Sequence, residues 1–537
     1  MFRKTILLIL LSFVCYSAKS QNIILGRPTD NSITISILFA ETSEFIIEYG
    51  TSTGVYQYNS INYQADANIP NEIDLTSLSA NTRYFYRVKY KSPIASFYNF
   101  TPEYSFSTQK ATGNGFTFTI EADEHLYDKK GIPSIYNLCL KNQAKDKPDF
   151  MLSLGDIFGD DHNPNTITAS DLDELHKYYR PYLGSICHSV PFYVCLGNHE
   201  GENDFYKLKT PPNNLSINAT LARKYYYPNP FPNNFYSGNT EVEPYGVGLP
   251  ENYYAWNWGD ALFVVLDVYR DQCDTSAKPK NWEWSLGLPQ YNWLKNTLEN
   301  SQAKYKFVFA HHIRGQGRGG ITNAKLFEWG GYEANGTSYT FATNRPNFAK
   351  PIHQLFKDNG VNIFFQGHDH VFAHEVLDGI TYQAVPMPSD STYQIGKLAN
   401  ANAYTSDTLD GTGHIRVSVS AQEVKVDYVR AYLPADTITG QHKNGEVAFS
   451  YTVHAANTNI NQSLKNVPSI YPNPAKNNLT IQSIDLIKNW NLYNLFGEKL
   501  LSGIGNSINT LDLENGIYIL KIKTNQFEFI KKVSIQK

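Results

Sequence analysis

Apolar and polar positions along the chain change period twice. From residue 22 to about 110 they alternate in short runs, "SITISILFA", "EFIIEYG", "NEIDLTSL", "TRYFYRVKY" and "EYSFSTQ", separated by turn-rich stretches. A period of two is that of strands with one buried face. Several such runs in about 90 residues predict a β-sandwich. After "ATGNG" (111–115) the pattern becomes apolar runs alternating with amphipathic stretches. "FTFTI" (116–120) precedes a helical stretch near 132–144, and "DFMLSL" (149–154) precedes another near 171–183. "PFYVCL" (191–196) precedes a long Pro/Asn/Tyr-rich insertion. "ALFVVLDV" (261–268) precedes "QYNWLKNTLENS", where Tyr291, Leu294 and Leu298 share one helical face. "YKFVFA" (305–310) precedes a Gly-rich loop, and a helix near 347–358 leads to "VNIFFQ" (361–366). Strands alternating with helices predict an α/β domain. Beyond residue 380, "GHIRVSVS", "EVKVDYVRAY" and "EVAFSYTV" read as strands that complete its sheets.

A polar stretch without period, "HAANTNINQSLKN" (454–466), reads as a linker. The remainder, with "SIYPNPAKNNLTIQS", "WNLYNLFGEKLL", "NGIYILKIKT" and "FEFIKKVSIQK", is a small all-β module. The expected organisation is a leader over 1–20, a sandwich over 22–110, an α/β domain over 112–455, a linker over 456–466 and a final module over 467–537.

The N-terminus adds a destination. Arg3 and Lys4, the apolar core "TILLILLSFVCY" and the small residues Ala18 to Ser20 form a signal peptide cleaved before Gln21. The core is too short to span a bilayer, and no other run reaches about 18 apolar residues, so no transmembrane helix is expected. Cleavage leaves Cys139, Cys187, Cys195 and Cys273. Export permits disulfides. Cys187 and Cys195 are close enough in sequence to pair, although Cys195 lies in an apparent core strand and a buried thiol fits equally well. A net charge of −4 from 46 basic and 50 acidic residues carries no nucleic-acid-binding footprint.

The chemistry lies directly after the apolar runs, where ligands of open α/β sheets bind. "FTFTI" is followed by Asp123 and His125, "DFMLSL" by Gly155 and Asp156, and "PFYVCL" by Gly197, Asn198, His199 and Glu200. "YKFVFA" is followed by His311 and His312, and "VNIFFQ" by Gly367, His368, Asp369 and His370. Each cluster alone has a plain structural reading, as a turn, a cap or a strand-end histidine. Five in succession supply the carboxylate, carboxamide and imidazole groups that mixed O/N divalent sites use.

That series, D-x-H, GD, GNHE, a strand-end His and GHxH, resembles the calcineurin-like metallophosphoesterases. The resemblance implies a four-layer α/β/β/α sandwich with two metals at its strand ends. By that resemblance Asp123, His125 and His370 hold one metal, Asn198, His311 and His368 hold the other, and Asp156 bridges them. His199 matches the family's non-ligand histidine, which stabilises the transition state or protonates the leaving oxygen. Of the His pair, His311 is the ligand and His312 a pocket residue. Arg314 and Arg318 stand beside the site as candidates to bind substrate phosphate. The implied reaction is hydrolysis of phosphate monoesters by in-line attack of a metal-activated hydroxide, of acid-phosphatase type. A phosphodiesterase acting on nucleotides or phospholipid head groups is the alternative. A surface adhesion module that has lost activity is the third reading, and the complete ligand set speaks against it.

The segment "LTSLSANTRYFYRVKY" resembles fibronectin type III domains, and in particular the N-terminal sandwich of purple acid phosphatases. The metal motifs depart from those enzymes. They carry a Tyr three residues after the bridging Asp, where this chain has Gly159, and D-x-G where it has Asp123-Glu-His125. No tyrosinate–iron absorption is therefore expected, and the two divalent or trivalent ions are left open as Fe–Zn, Mn–Mn or Zn–Zn. The final module resembles the C-terminal sorting domain of the type IX secretion system, which implies that machinery as partner and a secreted or cell-surface location. Four neighbours of the motifs are assigned no chemistry. Asp160, Asp161 and His162 are expected to be solvated loop residues, Trp329 and Tyr332 to pack at the surface, and Asp267 to be structural.

Overall fold

The computed structural model describes residues 21–162, 164–203, 211–271, 280–313, 317–395, 399–454, 468–483, 485–525 and 528–537. The expected leader and linker, Cys273 and Arg314 lie outside the described residues. The chain divides into two compact units between Ala455 and Ala456.

The first unit opens with two facing sheets. Strands β1 (Asn22–Gly26), β2 (Ile33–Leu38) and β4 (Pro70–Leu75) form one; β3 (Ser43–Gly50) and β5 (Arg83–Lys91) centre the other. Alternate residues, Ile35 and Ile37 from one sheet and Phe45, Ile47, Tyr86 and Val88 from the other, meet in a shared core. Polar ties hold this sandwich to the α/β domain. The buried Arg180 guanidinium donates to Ser36 Oγ at 3.2 Å, to the Ser36 carbonyl at 3.2 Å and to the Tyr226 carbonyl, and Tyr86 donates to the His188 carbonyl at 2.7 Å.

The rest of the unit is a pair of larger sheets. β6 (Phe116–Glu121), β7 (Phe150–Ser153) and β8 (Phe192–Val194) run parallel, with α1 (Pro133–Lys145), α2 (Ala169–Cys187) and α3 (Leu215–Tyr226) in the connections. β9 (Tyr254–Trp258) and β10 (Ala261–Val265) start the second sheet. Then come α4 (Gly287–Asn300), β11 (Tyr305–Phe309), α5 (Ile352–Asp358), β12 (Ile363–Gln366), β13 (Phe372–Leu377), β14 (Ile380–Ala384) and β15 (Asp407–Leu409). The chain then returns to the first sheet through β16 (Gly413–Val419), β17 (Glu423–Arg430) and β18 (Val447–His454). The two orders are β8-β7-β6-β16-β17-β18 and β9-β10-β11-β12-β14-β13-β15, the second extended at β9 by Ser237–Gly238.

Alternation within fully buried strands fills three core layers. Phe118, Phe150, Leu152, Phe263, Phe307, Phe309 and Phe365 meet between the sheets. Val264, Val308 and Phe364 point the other way, onto Tyr291, Leu294, Leu298, Leu355 and Phe356 of α4 and α5. Met151 packs with Tyr136, Leu140, Tyr179 and Leu183 of α1 and α2. The result is the expected α/β/β/α order.

One segment gains an element, one open choice closes and one expectation changes. Part of the Pro/Asn/Tyr-rich insertion is α3, capped by Asn214, whose side chain accepts from the Ile217 N–H; its tyrosines and asparagines obscured the helical period. Cys187 and Cys195 are both free and sit in different core layers, with Cys187 Sγ 3.6 Å from Met151 Sδ and Cys195 Sγ 3.3 Å from the Leu266 carbonyl. Trp329 is a core residue against Phe356 and Phe364, because the short helix Phe327–Gly330 lays its apolar side on the second sheet. Asp267 is structural as expected. It accepts from Asn252 Nδ2 at 2.8 Å and from the backbone N–H groups of Tyr269 and Arg270.

The second unit is all-β. A sheet of Ser469–Tyr471, Asn478–Gln482 and Ser507–Asn509 and a four-stranded sheet centred on Ile487–Tyr493 and Gly516–Thr524 enclose Trp490, Leu492, Leu520, Ile522 and Val533. Among the described residues no helix is long and apolar enough to cross a membrane.

Candidate metal centre

Parallel pairing brings the carboxyl ends of β6, β7 and β8 side by side, and those of β11 and β12 opposite them. The loops are stitched to one another. Asp123 N–H donates to the Gly155 carbonyl at 3.0 Å, and Gly367 N–H to the His311 carbonyl at 2.9 Å. The glycines are required by close approach. A Cβ on Gly367 would lie 2.7 Å from Asp123 Oδ2, and one on Gly197 would lie 2.4 Å from Asp156 Oδ1.

Two groups of side chains converge there. Asp123, His125 and His370 each offer an atom within 4.8 Å of the others, and so do Asp156, His311 and His368. His125 Nε2 faces His370 Nε2 at 3.0 Å, with Asp123 Oδ1 3.6 Å from the latter. His311 Nε2 faces His368 Nδ1 at 3.1 Å and lies 3.2 Å from Asp156 Oδ2. The same nitrogen is 3.8 Å from Asp123 Oδ1, so the two groups are contiguous. Asp123 Oδ1 and Asn198 Oδ1 are buried atoms with no hydrogen-bond partner. Facing imidazole nitrogens ringed by unsatisfied oxygens are the donor set of a mixed N/O cation site, and the residues present fit that group.

Holding this arrangement costs backbone strain. Asp123, His125, Asp156, His368 and His370 have φ of 62°, 47°, 57°, 68° and 56°. Each left-handed residue costs about 1–2 kcal/mol, and such outliers collect where function over-determines the backbone. Glu200 offsets part of it. Its buried carboxylate accepts from the backbone N–H groups of Gly197 at 2.6 Å, Asp156 at 2.9 Å, Ile157 at 2.8 Å and Phe158 at 3.3 Å, tying two of the loops together. "GNHE" contains Glu200, but nothing in its spacing marks a carboxylate aimed at backbone donors.

His199 is mostly shielded over the centre, with 32% of its side chain exposed. Its N–H donates to Asp156 Oδ1 at 2.8 Å, and its Nε2 is 3.9 Å from Asp156 Oδ2. Nδ1 meets Asp161 Oδ1 at 2.7 Å. This corrects the expectation that Asp161 is merely solvated, since the 3₁₀ turn Asp160–His162 swings it under the imidazole. Asp160 is buried, and the side chain of His162 lies outside those described.

The ionisable groups here set one another's charge. Burial pushes the Asp123 carboxyl up to about 8, helped by Asp156. Burial opposes charge on Asp156 as well, yet His311 and His199 outweigh it and hold that carboxyl well below the usual range. Burial works against a charged His199 and His311, but Asp156 reverses it in both, with Asp161 assisting at His199 and Asp123 at His311. They are pushed up to about 10 and about 9. Burial holds His368 and His370 well below the ordinary histidine value.

Of the candidate substrate residues, Arg318 is fixed at the rim. It donates through Nη1 to the His368 carbonyl and, at 3.1 Å, to Asp369 Oδ1, while 45 % of its side chain stays exposed. Asp369 is fully buried and also accepts from Gly319 N–H at 2.8 Å and Tyr404 OH at 2.7 Å. His312 is buried behind it, Nε2 3.9 Å from Asp369 Oδ2, and its ring lies 4.9 Å from that of His368.

Residues 116–372 match the family model for calcineurin-like phosphoesterases, and 469–536 match that for a secretion system C-terminal sorting domain. A solved structure of PhoD superposes with a TM-score of 0.57 at 18% identity, covering 81% of this chain and 90% of that one. The purple acid phosphatase isolated from yellow lupin (Lupinus luteus) seeds superposes with a TM-score of 0.54 at 13% identity, covering 82% and 76%. At such identities the likeness is one of fold. No curated protein sequence matches the chain.

Proposed function

With a calcineurin-like phosphoesterase domain as its core the chain is a phosphoesterase, and we propose that it hydrolyses phosphate monoesters at a dinuclear centre outside the cell. The observation that carries this reading is the pair of contiguous ligand groups, Asp123–His125–His370 and Asp156–His311–His368, drawn from both sheets. In this reading Asn198 adds its free carboxamide oxygen to the second group, and Asp156 serves both. The chemistry that two cations supply when bound is activation of a water and neutralisation of phosphoryl charge.

The chain's own residues do the rest. His199, kept protonated by Asp156 and Asp161, points Nε2 into the centre and can give a proton to the leaving alkoxide. Arg318 presents its remaining N–H groups at the rim, where a monoester has an unsubstituted phosphoryl oxygen to offer and a diester carries a second ester group. His312 supports that wall. Arg314 is proposed from sequence alone. Fe, Zn or Mn all suit these donors. The sorting domain supports export by the type IX machinery after cleavage of the leader at residue 20, with the N-terminal sandwich as a fibronectin type III-like module over 22–110 and the catalytic domain over 112–455.

The test is elemental analysis of the purified protein and its Asp156→Asn variant, with both assayed on p-nitrophenyl phosphate and bis-p-nitrophenyl phosphate. About two metals per chain, monoester turnover and loss of both in the variant are expected. Preference for the diester would move the substrate class. No metal and no turnover with any added divalent ion would sink the reading.

A further inference from the structure

The position three residues after Asp156 is Gly159, with φ of 66°. The space that a side chain there would need is already filled. A Cβ on Gly159 would fall 2.2 Å from Cδ2 of Tyr127, so the phenol ring lies directly on the glycine. Tyr127 comes from a different loop, two residues after His125. Its hydroxyl is 2.9 Å from His125 Nδ1, and Asp128 Oδ2 is 3.3 Å from the same nitrogen. The opposite nitrogen, Nε2, is the one that faces His370.

Coordination through Nε2 would fix the tautomer. An imidazole that gives Nε2 to a cation keeps its proton on Nδ1 and must donate it. Phenol oxygen and Asp128 carboxylate are the acceptors within reach. A tyrosine that acted as a ligand would need its oxygen on the Nε2 side of the ring, and this one is on the Nδ1 side.

We propose that Tyr127 is a positioning residue that seats on Gly159 and orients His125 for the first cation, without itself coordinating that cation. The small residue at 159 and the tyrosine at 127 are then one device. The chain needs Gly159 because Tyr127 occupies the volume above it, and the site keeps its histidine aligned through that occupancy. The proposal rests on the dinuclear reading above.

The test uses the metal-loaded full chain dialysed against a graded series of zinc-buffering chelator, with bound zinc read by elemental analysis. Tyr127→Phe removes one hydroxyl and leaves the ring on Gly159, so the fold is kept. The expected result is that one of the two zinc equivalents leaves at roughly ten- to hundred-fold higher free zinc than in the wild type, the usual effect of losing a partner of a ligating histidine. The other equivalent stays put. Release unchanged from the wild type, or an equal shift of both equivalents, would overturn the proposal. Gly159→Ala supplies a second route, since its methyl group displaces the ring and should cause the same selective loss. Combined with Tyr127→Ala it should add nothing to the loss caused by Tyr127→Ala alone, and additive losses would overturn the coupling. A visible absorption band in ferric-loaded wild type that vanishes in Tyr127→Phe would also overturn it, by making the tyrosine a ligand. A wild type that binds no zinc would instead bring down the dinuclear reading, and this one with it.

Discussion

Asp161→Asn should move the alkaline limb of the pH–rate profile. The carboxylate meets His199 Nδ1 at 2.7 Å, and both groups are substantially shielded from solvent. A hydrogen bond to a charged group contributes about 1.5–3 kcal/mol. Withdrawn from the imidazolium alone, that is roughly one to two pKa units at 1.36 kcal/mol each. His199 is pushed up to about 10 in the metal-free chain, against burial, by Asp156 first and then Asp161. The variant should therefore titrate one to two units lower, with Asp156 still raising it. A general acid works only while protonated, so activity should survive below the lowered value and fall earlier as pH rises. At pH 6 wild type and variant should differ little; near pH 9 the variant should be about two- to ten-fold behind. Two measurements check this: kcat/KM across pH 5–10, and an NMR titration of the His199 ring in metal-free protein, assigned with His199→Asn. An unmoved alkaline limb, or a ring that titrates as in the wild type, would refute the argument that Asp161 holds this proton.

Three further outcomes are expected from the same geometry. Loading zinc at pH 7 should release protons, because Asp123 and His311 are pushed up to about 8 and about 9 without cations; calorimetry in buffers of different ionisation heat should show it, with affinity rising from pH 6 to 9. Tyr404→Phe removes one of the donors holding Asp369, which seats Arg318, so KM should rise about five-fold for about 1 kcal/mol lost, with kcat kept. Asp146 is partly buried, which pushes its carboxyl up, but His414 at 2.7 Å and Arg416 at 2.7 Å outweigh this and hold it below its ordinary value. A depressed acid contributes stability above its unfolded pKa and loses it as pH falls through the folded one. Asp146→Asn should thus lower stability to urea by about 1–3 kcal/mol at pH 7, and by progressively less as pH falls below the ordinary carboxylate range.

Much of this was legible in the residues because parallel strands buried on both faces read as unbroken apolar runs, and the ligands follow the runs directly. "VNIFFQ" ends where β12 ends, and His368 lies two residues on. What could not be read was anything decided by the path of a loop. Asp161 looks like any acidic turn residue until the 3₁₀ turn brings it under His199. Glu200 is indistinguishable from a solvated glutamate until four backbone N–H groups converge on it. The absence of a tyrosine at 159 was visible, but its replacement by a ring from residue 127 depends on contact across loops. Trp329 was misplaced because a four-residue helix offers too short a period to show which side it buries.

The two ligand groups draw on both sheets, and the first sheet is not finished until β16, β17 and β18 arrive from residues 413–454 to pair beside β6. A chain emerging from synthesis therefore holds every candidate ligand, from Asp123 to His370, before its architecture can bring them together. Assembly is in effect self-timed: the first sheet cannot close until the last 40 or so residues of this unit have been made.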